Sequence, residues 1–239
     1  MRINKFLSFV GFCSRRKGDL FIEEGKITIN GKIAKQGDDV KAIDVVRVNG
    51  EVLKIENKKV YLMYNKPCGI ICTLDKNSPN SLESVIDFPI RVYPVGRLDV
   101  NSTGLLILTN DGVFTNRITH PRYEHDKEYE VTVDKPITKD FIINMSKGVE
   151  ILNQKTLPAK VIRVSEKMFK ITLKQGLNKQ IRRMCGSLDY KVIKLKRIRI
   201  MNLELGNLKQ GELKEIDKDV LKELLQKLEL NDIKYWFNV

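Results

Sequence analysis

The feature that most constrains the fold is a series of short, β-branched segments that begins at Val60. Many of them alternate apolar and polar residues, which is typical of half-buried strands. The segments are VYLMY, GLLILT, YEVTV, AKVIRV, FKITL and KVIKLKRIRI. Helical spacing is rarer and is found near residues 111–118, 139–147, 178–188 and 217–230. Strand runs with intermittent helices predict an α+β domain over residues 60–239, built on a mostly antiparallel mixed sheet.

Residues 1–53 follow a different pattern, which predicts a small separate domain. Apolar residues at helical spacing predict one helix that ends at Gly11, and Ser14 can cap a second helix that Gly25 ends. Two pairs, Asn30-Gly31 and Asn49-Gly50, are strong signals for tight hairpin turns. The pattern therefore predicts two helices followed by a small sheet. The polar and charged segment KIENKK, residues 54–59, is predicted to be the linker.

The chain is strongly basic, with a net charge of +13 and a pI of about 9.5. Such an excess favours a polyanionic partner, because phosphates attract cations without regard to sequence. Arg15, Arg16 and Lys17 occupy the first turn of the second predicted helix, where the helix dipole disfavours cations. They form either a solvated charge run or a phosphate site, and the overall charge favours the phosphate site.

Composition also excludes several classes of protein. No apolar run approaches the roughly 18 residues of a membrane helix, and the N-terminus does not read as a signal peptide, so we expect a cytoplasmic protein. The four cysteines lack metal-ligand spacing and are expected to be free thiols. With only His120 and His125, a histidine metal site or a Ser-His-Asp triad is not expected. Any chemistry must then use carboxylates, Tyr, Lys and Arg.

A polar loop containing Asp99 separates the predicted strands YPV and LLILT. Loops at strand ends are where a rigid scaffold presents reactive groups. An EF-hand calcium loop is a competing interpretation, since Asp99, Asn101 and Thr103 have the spacing of its first three ligands. It fails because the twelfth position is Asn110 instead of Glu and the flanks are strands. Spacing alone leaves open whether Asp99 caps a turn or performs chemistry.

The first quarter of the chain resembles the S4 RNA-binding domain. The matching segments are Arg2-Ile3-Asn4-Lys5-Phe6-Leu7, Cys13-Ser14-Arg15-Arg16, Ile22-Glu23-Glu24-Gly25-Lys26-Ile27 and Ile29-Asn30-Gly31. The resemblance implies two helices that pack against a small sheet and dock on structured RNA. It implies RNA binding but not a particular activity, and the phosphate site predicted above at Arg15, Arg16 and Lys17 makes these three residues the candidate RNA contacts.

The remainder resembles the pseudouridine synthases of the RsuA and RluB/E/F group. The signature is GRLD followed by Ser-x-Gly-Leu-Leu, and further segments agree in order: KPCG at 66–69, LTNDG at 108–112, KEYEV at 127–131, QGLNKQIRRM at 175–184 and LKRIRI at 195–200. The sequences of the segments QGLNKQIRRMC and RIRIMN are most similar to the RluF type, which acts on 23S ribosomal RNA.

The resemblance implies an enzyme that isomerises uridine to pseudouridine without a cofactor or a metal. Asp99 matches the catalytic aspartate, which either attacks C1′ or removes a sugar proton. Arg182 matches the arginine that pairs with this aspartate and keeps it ionised. Tyr129 matches the tyrosine that stacks on the uracil and takes the C5 proton.

The other basic residues of the matched motifs receive binding roles. Lys66 and Arg97 are assigned to phosphate contact or loop positioning, and Lys179 and Arg183 to RNA contact. The expected partner is 23S ribosomal RNA or its precursor, with tRNA or small-subunit RNA as alternatives. A monomer is expected.

Two other functions compete with this hypothesis. A non-catalytic RNA-binding module, such as a ribosome assembly factor, predicts the loss of Asp99, Tyr129 or Arg182, and all three are present. An S4-bearing methyltransferase predicts a Gly-rich cofactor loop, and Gly-x-Gly never occurs in the sequence.

Overall fold

The computed structural model of the protein describes residues 1–53, 59–75 and 77–230. Residues 54–58 of the predicted linker lie outside the described residues, as do residues 231–239 at the end of the predicted second domain. Within the described part of the chain, no helix is long and apolar enough to cross a membrane.

The N-terminal unit consists of two helices packed together beside a small antiparallel sheet in the order β2-β1-β3-β4. Its elements are α1 (Ile3–Phe9), α2 (Arg15–Glu23), β1 (Ile27–Ile29), β2 (Lys32–Ile33), β3 (Val46–Val48) and β4 (Glu51–Val52). Ser14 caps α2, since its hydroxyl accepts a hydrogen bond from the Lys17 N–H at 3.2 Å. A separate core, built only from residues of this unit, holds helices and sheet together.

Both Asn-Gly pairs form the predicted hairpin turns. Asn30 and Gly31 have φ values of 50° and 82°, and Asn49 and Gly50 have φ values of 50° and 87°. Two consecutive left-handed residues define a type I′ turn, whose twist matches that of the flanking strands. These turns fix the register of the small sheet, in which Ile29 pairs with Lys32 and Val48 pairs with Glu51.

The larger unit contains the predicted strands and helices in their predicted order. Its strands are β5 (Tyr61–Lys66), β6 (Tyr93–Pro94), β7 (Thr103–Thr109), β8 (Lys127–Val133), β9 (Glu150–Ile151), β10 (Gln154–Lys155), β11 (Lys160–Arg163), β12 (Met168–Leu173), β13 (Val192–Ile200), β14 (Leu203–Glu204) and β15 (Leu213–Glu215). Its helices are α3 (Leu82–Val85), α4 (Gly112–Thr119), α5 (Lys139–Lys147), α6 (Gln180–Gly186) and α7 (Lys218–Lys227), with a 3₁₀ helix at Pro121–Tyr123.

Nine of these strands form one mixed sheet, whose main path is β11-β12-β8-β13-β7-β5-β15. Among the described strands, every neighbouring pair of this sheet is antiparallel except β13 and β7, which run parallel. The sheet therefore confirms the predicted α+β class with a mostly antiparallel arrangement. It places the start of β7 against the middle of β13, where Lys196 pairs with Thr103.

Strand β7 is buried on both faces, which explains why GLLILT is a continuous apolar run. Successive side chains of a strand point to opposite faces. Leu105 and Ile107 pack in the core that also contains residues of α4 and α7, whereas Leu106 and Leu108 pack in the core beside α3. The loop that enters β7 is consequently anchored to a strand that is buried on both faces.

Candidate active site

The loop that carries Asp99, residues 95–102 between β6 and β7, is closed by its own backbone. The Ser102 N–H donates to the Asp99 carbonyl oxygen at 3.0 Å. Two further bonds tie this Asp99 loop to residues 67–72, which follow β5: the Gly69 N–H donates to the Val100 oxygen at 2.9 Å, and the Leu98 N–H contacts the Cys72 Sγ at 3.4 Å. Asp99 is half-buried, and no described residue donates a hydrogen bond to its carboxylate. The carboxylate is therefore not a turn cap.

Gly104 sets the distance between this loop and the neighbouring strand β13. Its φ is +103°, and a Cβ at this position would collide with the Arg197 backbone, whose nitrogen would lie only 2.7 Å away. Only glycine allows this approach, because it has no Cβ and tolerates positive φ. The motif glycine thus permits the parallel pairing of β7 with β13 immediately after the Asp99 loop.

Asp99 and Tyr129 line the same cavity, of about 130 Å³. Its other walls are mixed: Leu173, Leu177 and Leu195 contribute apolar surface, and polar side chains contribute about as much. Cavities of about 150 Å³ accommodate a benzene ring, so this space suits a single pyrimidine. A wider cleft of about 580 Å³ also has Asp99 in its lining. We name the smaller space the Asp99 cavity.

Tyr129 reaches this cavity from the centre of the sheet. It lies in β8, where it pairs with Ile171 of β12 and with Arg197 of β13. Its ring is half-buried and packs against two hydrophobic cores. A ring held on a central strand, with one side open to a cavity, presents a flat apolar surface at a fixed position.

Arg182 braces the Asp99 loop through the backbone. Its Nη2 donates to the Asn101 carbonyl oxygen at 2.8 Å, and its Nη1 donates to the Val192 oxygen at 3.2 Å. No ion pair joins Arg182 to Asp99 within the described residues. The Arg182 guanidinium thus contacts the Asp99 loop two residues from Asp99, and its pairing with the carboxylate stays a prediction.

Lys66 is fully buried at the end of β5. Its ammonium donates to the Pro67 oxygen at 2.7 Å and to the Ile70 oxygen at 2.8 Å. Burial lowers the pKa of Lys66 below its usual value, while the Cys72 and Cys68 thiols and the Asp99 carboxylate oppose this shift. The predicted RNA contact is corrected here, since a buried ammonium cannot reach phosphate; loop positioning, the other predicted role, fits the geometry.

The remaining predicted RNA-binding residues fall into two groups. Arg97 and Lys179 are exposed and line both the Asp99 cavity and the wider cleft. Arg183 is exposed, but its guanidinium donates to the Asn178 carbonyl oxygen at 3.0 Å and to its Oδ1 at 3.3 Å. The other group, on the N-terminal unit, is exposed in the first turn of α2 and consists of Arg15, Arg16 and Lys17.

Two further residues of the site were not identified from the sequence. Ser102 is 1% exposed, lines the Asp99 cavity and has a buried hydroxyl without a partner in the described part of the chain. Arg197 is 3% exposed, and its Nε donates to the Leu105 oxygen at 2.7 Å. Both lie inside matched motifs, but residue type alone favours exposure for serine and arginine. Among residues 1–53, 59–75 and 77–230, no cluster of His, Cys, Asp or Glu could hold a metal.

Two family models match different parts of the chain. The family model for RNA pseudouridylate synthase matches residues 60–187, and the model for the S4 domain matches residues 1–46. The dual-specificity RNA pseudouridine synthase RluF of Escherichia coli K12 is 45% identical over 231 residues, which cover 96% of this chain and 80% of the relative.

Two other relatives support the same grouping. The ribosomal large subunit pseudouridine synthase B of Bacillus subtilis is 38% identical over 206 residues, which cover 82% of this chain and 84% of the relative. A crystal structure of a pseudouridylate synthase superposes with a TM-score of 0.69 at 28% identity, and the match covers 94% of this chain and 99% of the other. By motif order, fold and sequence identity, the chain belongs to the S4-bearing RNA pseudouridine synthases of the RsuA and RluB type.

Proposed function

We propose that the protein converts a uridine of large-subunit ribosomal RNA to pseudouridine and that Asp99 is the group that attacks the nucleotide. The observation that carries this proposal is the Asp99 cavity, in which a carboxylate and the ring of Tyr129 share a space of about 130 Å³. The Asp99 cavity can receive one base, and the wider cleft of about 580 Å³, which Asp99 also lines, has room for the sugar.

The reaction requires few components. The C1′–N1 bond breaks, a C1′–C5 bond forms, C5 loses a proton and N1 gains one, so the atoms of the uridine are conserved. A carboxylate is a suitable nucleophile for a sugar carbon that becomes electron-poor as the base departs. Removal of a sugar proton would use the same carboxylate. The Asp99 carboxylate accepts no hydrogen bond from a described residue, which leaves its oxygens available to the substrate.

Tyr129 is proposed to receive the base. A uridine must leave the RNA stack to reach the Asp99 cavity, and an aromatic face compensates for the stacking that it loses. The apolar wall formed by Leu173, Leu177 and Leu195 excludes water from the detached uracil. We propose that the Tyr129 hydroxyl then takes the C5 proton.

Arg182 and Lys66 are proposed to act as positioning residues. Arg182 holds the Asn101 carbonyl oxygen, and Lys66 holds the loop that donates to Val100. Together they fix the Asp99 loop from both sides. Arg97 and Lys179, which line the cavity, and the exposed Arg183 of α6 are proposed to contact the RNA backbone. Arg15, Arg16 and Lys17 on the S4 domain are proposed to do the same.

The choice of substrate rests on the relatives. The name of the Bacillus subtilis relative specifies the large ribosomal subunit, and that of the Escherichia coli relative specifies dual specificity towards RNA. Large-subunit ribosomal RNA is therefore the proposed substrate, and tRNA is the second candidate. We propose that the enzyme acts as a monomer in the cytoplasm.

Asp99→Asn tests the catalytic assignment. The variant is expected to form no pseudouridine and still bind RNA, because the amide keeps the shape of the side chain but is not a nucleophile. Pseudouridine formed from transcribed RNA can be measured by tritium release from C5. Asp87→Asn is the matched control, since Asp87 is an exposed carboxylate outside the cavity, and it should retain activity. Full activity of Asp99→Asn would disprove the assignment.

The substrate is tested separately. Pseudouridines can be mapped in the ribosomal RNA and tRNA of a strain that lacks the gene. The loss of a site in large-subunit RNA, restored by the wild-type gene and not by Asp99→Asn, is the expected result. A loss confined to tRNA or small-subunit RNA would contradict the proposed substrate without affecting the assigned chemistry.

A further inference from the structure

A second cavity, of about 550 Å³, lies between the two domains. The S4 domain contributes Lys5, Phe9 and Arg15, and the catalytic domain contributes Arg91, Tyr93 and Asp111. Its volume is within the range of about 300–1,000 Å³ that is typical of small-molecule sites. We call this space the interdomain cleft.

The interdomain cleft is positively charged. The Arg15 charge adds to burial in lowering the pKa of Lys5, so these two cations lie near each other. Burial, together with Asp111, raises the pKa of Tyr93 to about 12, and the charges of Arg91 and Arg15 oppose this rise. Cations from both domains therefore face one space. Within residues 1–53, 59–75 and 77–230, the guanidinium groups of Arg15 and Arg91 form no hydrogen bond and no ion pair.

Asp111 does not neutralise these cations through direct contact. Among the described residues that line the cleft, it is the one carboxylate. Its Oδ1 accepts the N–H groups of Val113 and Phe114 at 2.9 and 3.1 Å, and its Oδ2 accepts the Tyr61 hydroxyl at 2.9 Å. Because the carboxylate is committed to the start of α4, the two arginines remain available to an external anion.

The interdomain cleft is distant from the Asp99 cavity. Tyr93 pairs with Thr109 at the last residue of β7, whereas the Asp99 loop precedes the first residue, Thr103. A strand of seven residues at about 3.4 Å per residue separates the two places by roughly 20 Å. A bound RNA can span this distance, since stacked nucleotides of one strand are spaced by a similar rise.

We propose that the interdomain cleft binds a phosphate of the substrate RNA, which Arg15 and Arg91 contact together at roughly 20 Å from the reacting uridine. The proposal rests on the proposed function, since it takes the ligand to be the RNA that the enzyme modifies. A free nucleotide offers the same phosphate chemistry. RNA is favoured because exposed Arg16 and Lys17 extend the positive surface beyond the cleft along α2.

Arg91→Ala in the full chain is the direct test. The measurement is the Kd for a large-subunit RNA hairpin as a function of salt, in the Asp99→Asn background, so that turnover does not interfere. We expect affinity to fall about tenfold, as for the loss of one charged hydrogen bond. The slope of log Kd against log salt should become shallower by about 0.7, the value for one phosphate contact on a single strand.

Three comparisons make the test specific. Arg91→Lys should retain the salt slope, because lysine still presents a point charge to phosphate. Arg163→Ala is the matched control, since Arg163 is exposed on β11 at the opposite edge of the sheet, and it should bind like the parent. Arg15→Ala combined with Arg91→Ala should weaken binding less than the product of the single effects, because both arginines contact one phosphate.

The contrary outcomes are distinct. An unchanged salt slope in a folded Arg91→Ala variant would overturn the proposal, as would fully additive effects of the two arginine substitutions. Binding of uridine monophosphate that depends on Arg91, combined with an unchanged RNA slope, would assign the cleft to a free nucleotide and also overturn it. Failure of the wild-type enzyme to form pseudouridine would refute only the proposed function, since this test measures binding.

Discussion

Two basic side chains beside Asp99 bind backbone carbonyl oxygens instead of acidic or phosphate groups. Lys66 holds the segment that follows β5, and Arg182 holds the Asp99 loop itself. At the scale of single residues, the position of the carboxylate is thus set by hydrogen bonds to main-chain atoms on either side of it. Replacement of either cation should move the loop as well as change the local charge.

Gly104→Ala is expected to destabilise the protein by about 3 kcal/mol or more, because positive φ and overpacking against β13 both cost free energy. The added Cβ would meet the Arg197 backbone, which cannot move without disturbing the sheet. Urea unfolding measures the effect. In contrast, Gly186→Ala should be neutral or stabilising by about 0.5 kcal/mol, since nothing lies within 4 Å of its Cβ position. Equal effects of the two substitutions would contradict the steric argument.

The sequence motifs predict which residues belong to the site, but they do not predict the contacts of those residues. Asp99 and Tyr129 line one cavity, as their motifs suggest. For Lys66 the sequence leaves phosphate contact and loop positioning open, because its complete burial depends on carbonyl oxygens that the following turn directs at it. The contact of Arg182 with the Asn101 carbonyl oxygen could not be predicted, because a main-chain acceptor has no sequence signature.

At the scale of elements, the sequence best predicts the helices and strands whose own residues show a clear periodicity or cap. Helix α5 spans Lys139–Lys147, as its periodicity predicts, with a Thr138 cap whose hydroxyl accepts the Phe141 N–H at 3.1 Å. Strand β15, Leu213–Glu215, was not predicted, because three mostly polar residues have no strand pattern and are ordered by pairing with β5. Helix α6 begins at Gln180 instead of near Asn178, since Lys179 adopts a left-handed conformation with φ of 50°.

The cap of helix α4 supports a prediction at this scale. Asp111 caps α4 and also accepts the buried Tyr61 hydroxyl at 2.9 Å, so Asp111→Ala removes the cap and leaves a buried donor unpaired. We expect a loss of about 2–4 kcal/mol in the free energy of unfolding. The exposed cap Asp217 of α7 offers the matched control, for which Asp217→Ala should cost about 1 kcal/mol. If chemical denaturation showed a larger loss in the free energy of unfolding for Asp217→Ala than for Asp111→Ala, the role of the Tyr61 contact would be refuted.

At the scale of the whole molecule, buried weak acids are expected to lower the free energy of unfolding at alkaline pH. Burial raises the pKa of the Cys185 thiol to about 12, and burial beside Asp111 raises that of Tyr93 to about 12. Because both pKa values exceed their usual values of about 9 to 10, the folded state retains these protons longer than the unfolded state does. Their stabilisation is complete below about pH 9 and is lost as pH rises towards 12.

The contributions of Cys185 and Tyr93 to the urea midpoint should therefore fall between pH 8 and pH 11, whereas that of Lys66, whose pKa burial lowers, should rise with pH. Cys185→Ala provides the control. It should lower stability at every pH by creating a small cavity, but its stability should depend less steeply on alkaline pH, because one titrating group is gone. An unchanged pH dependence in Cys185→Ala would show that the thiol does not contribute.

The parallel pairing of β7 with β13 determines the stage of folding at which the active site forms. The hydrogen bond between Arg197 and Leu105 joins residues 92 positions apart, so forming it costs more chain entropy than forming the contacts within the S4 domain. The core of the S4 domain is built only from residues of its own 53-residue segment. During folding or synthesis, the S4 domain should therefore be able to fold and bind RNA before β7 and β13 pair beside the Asp99 loop.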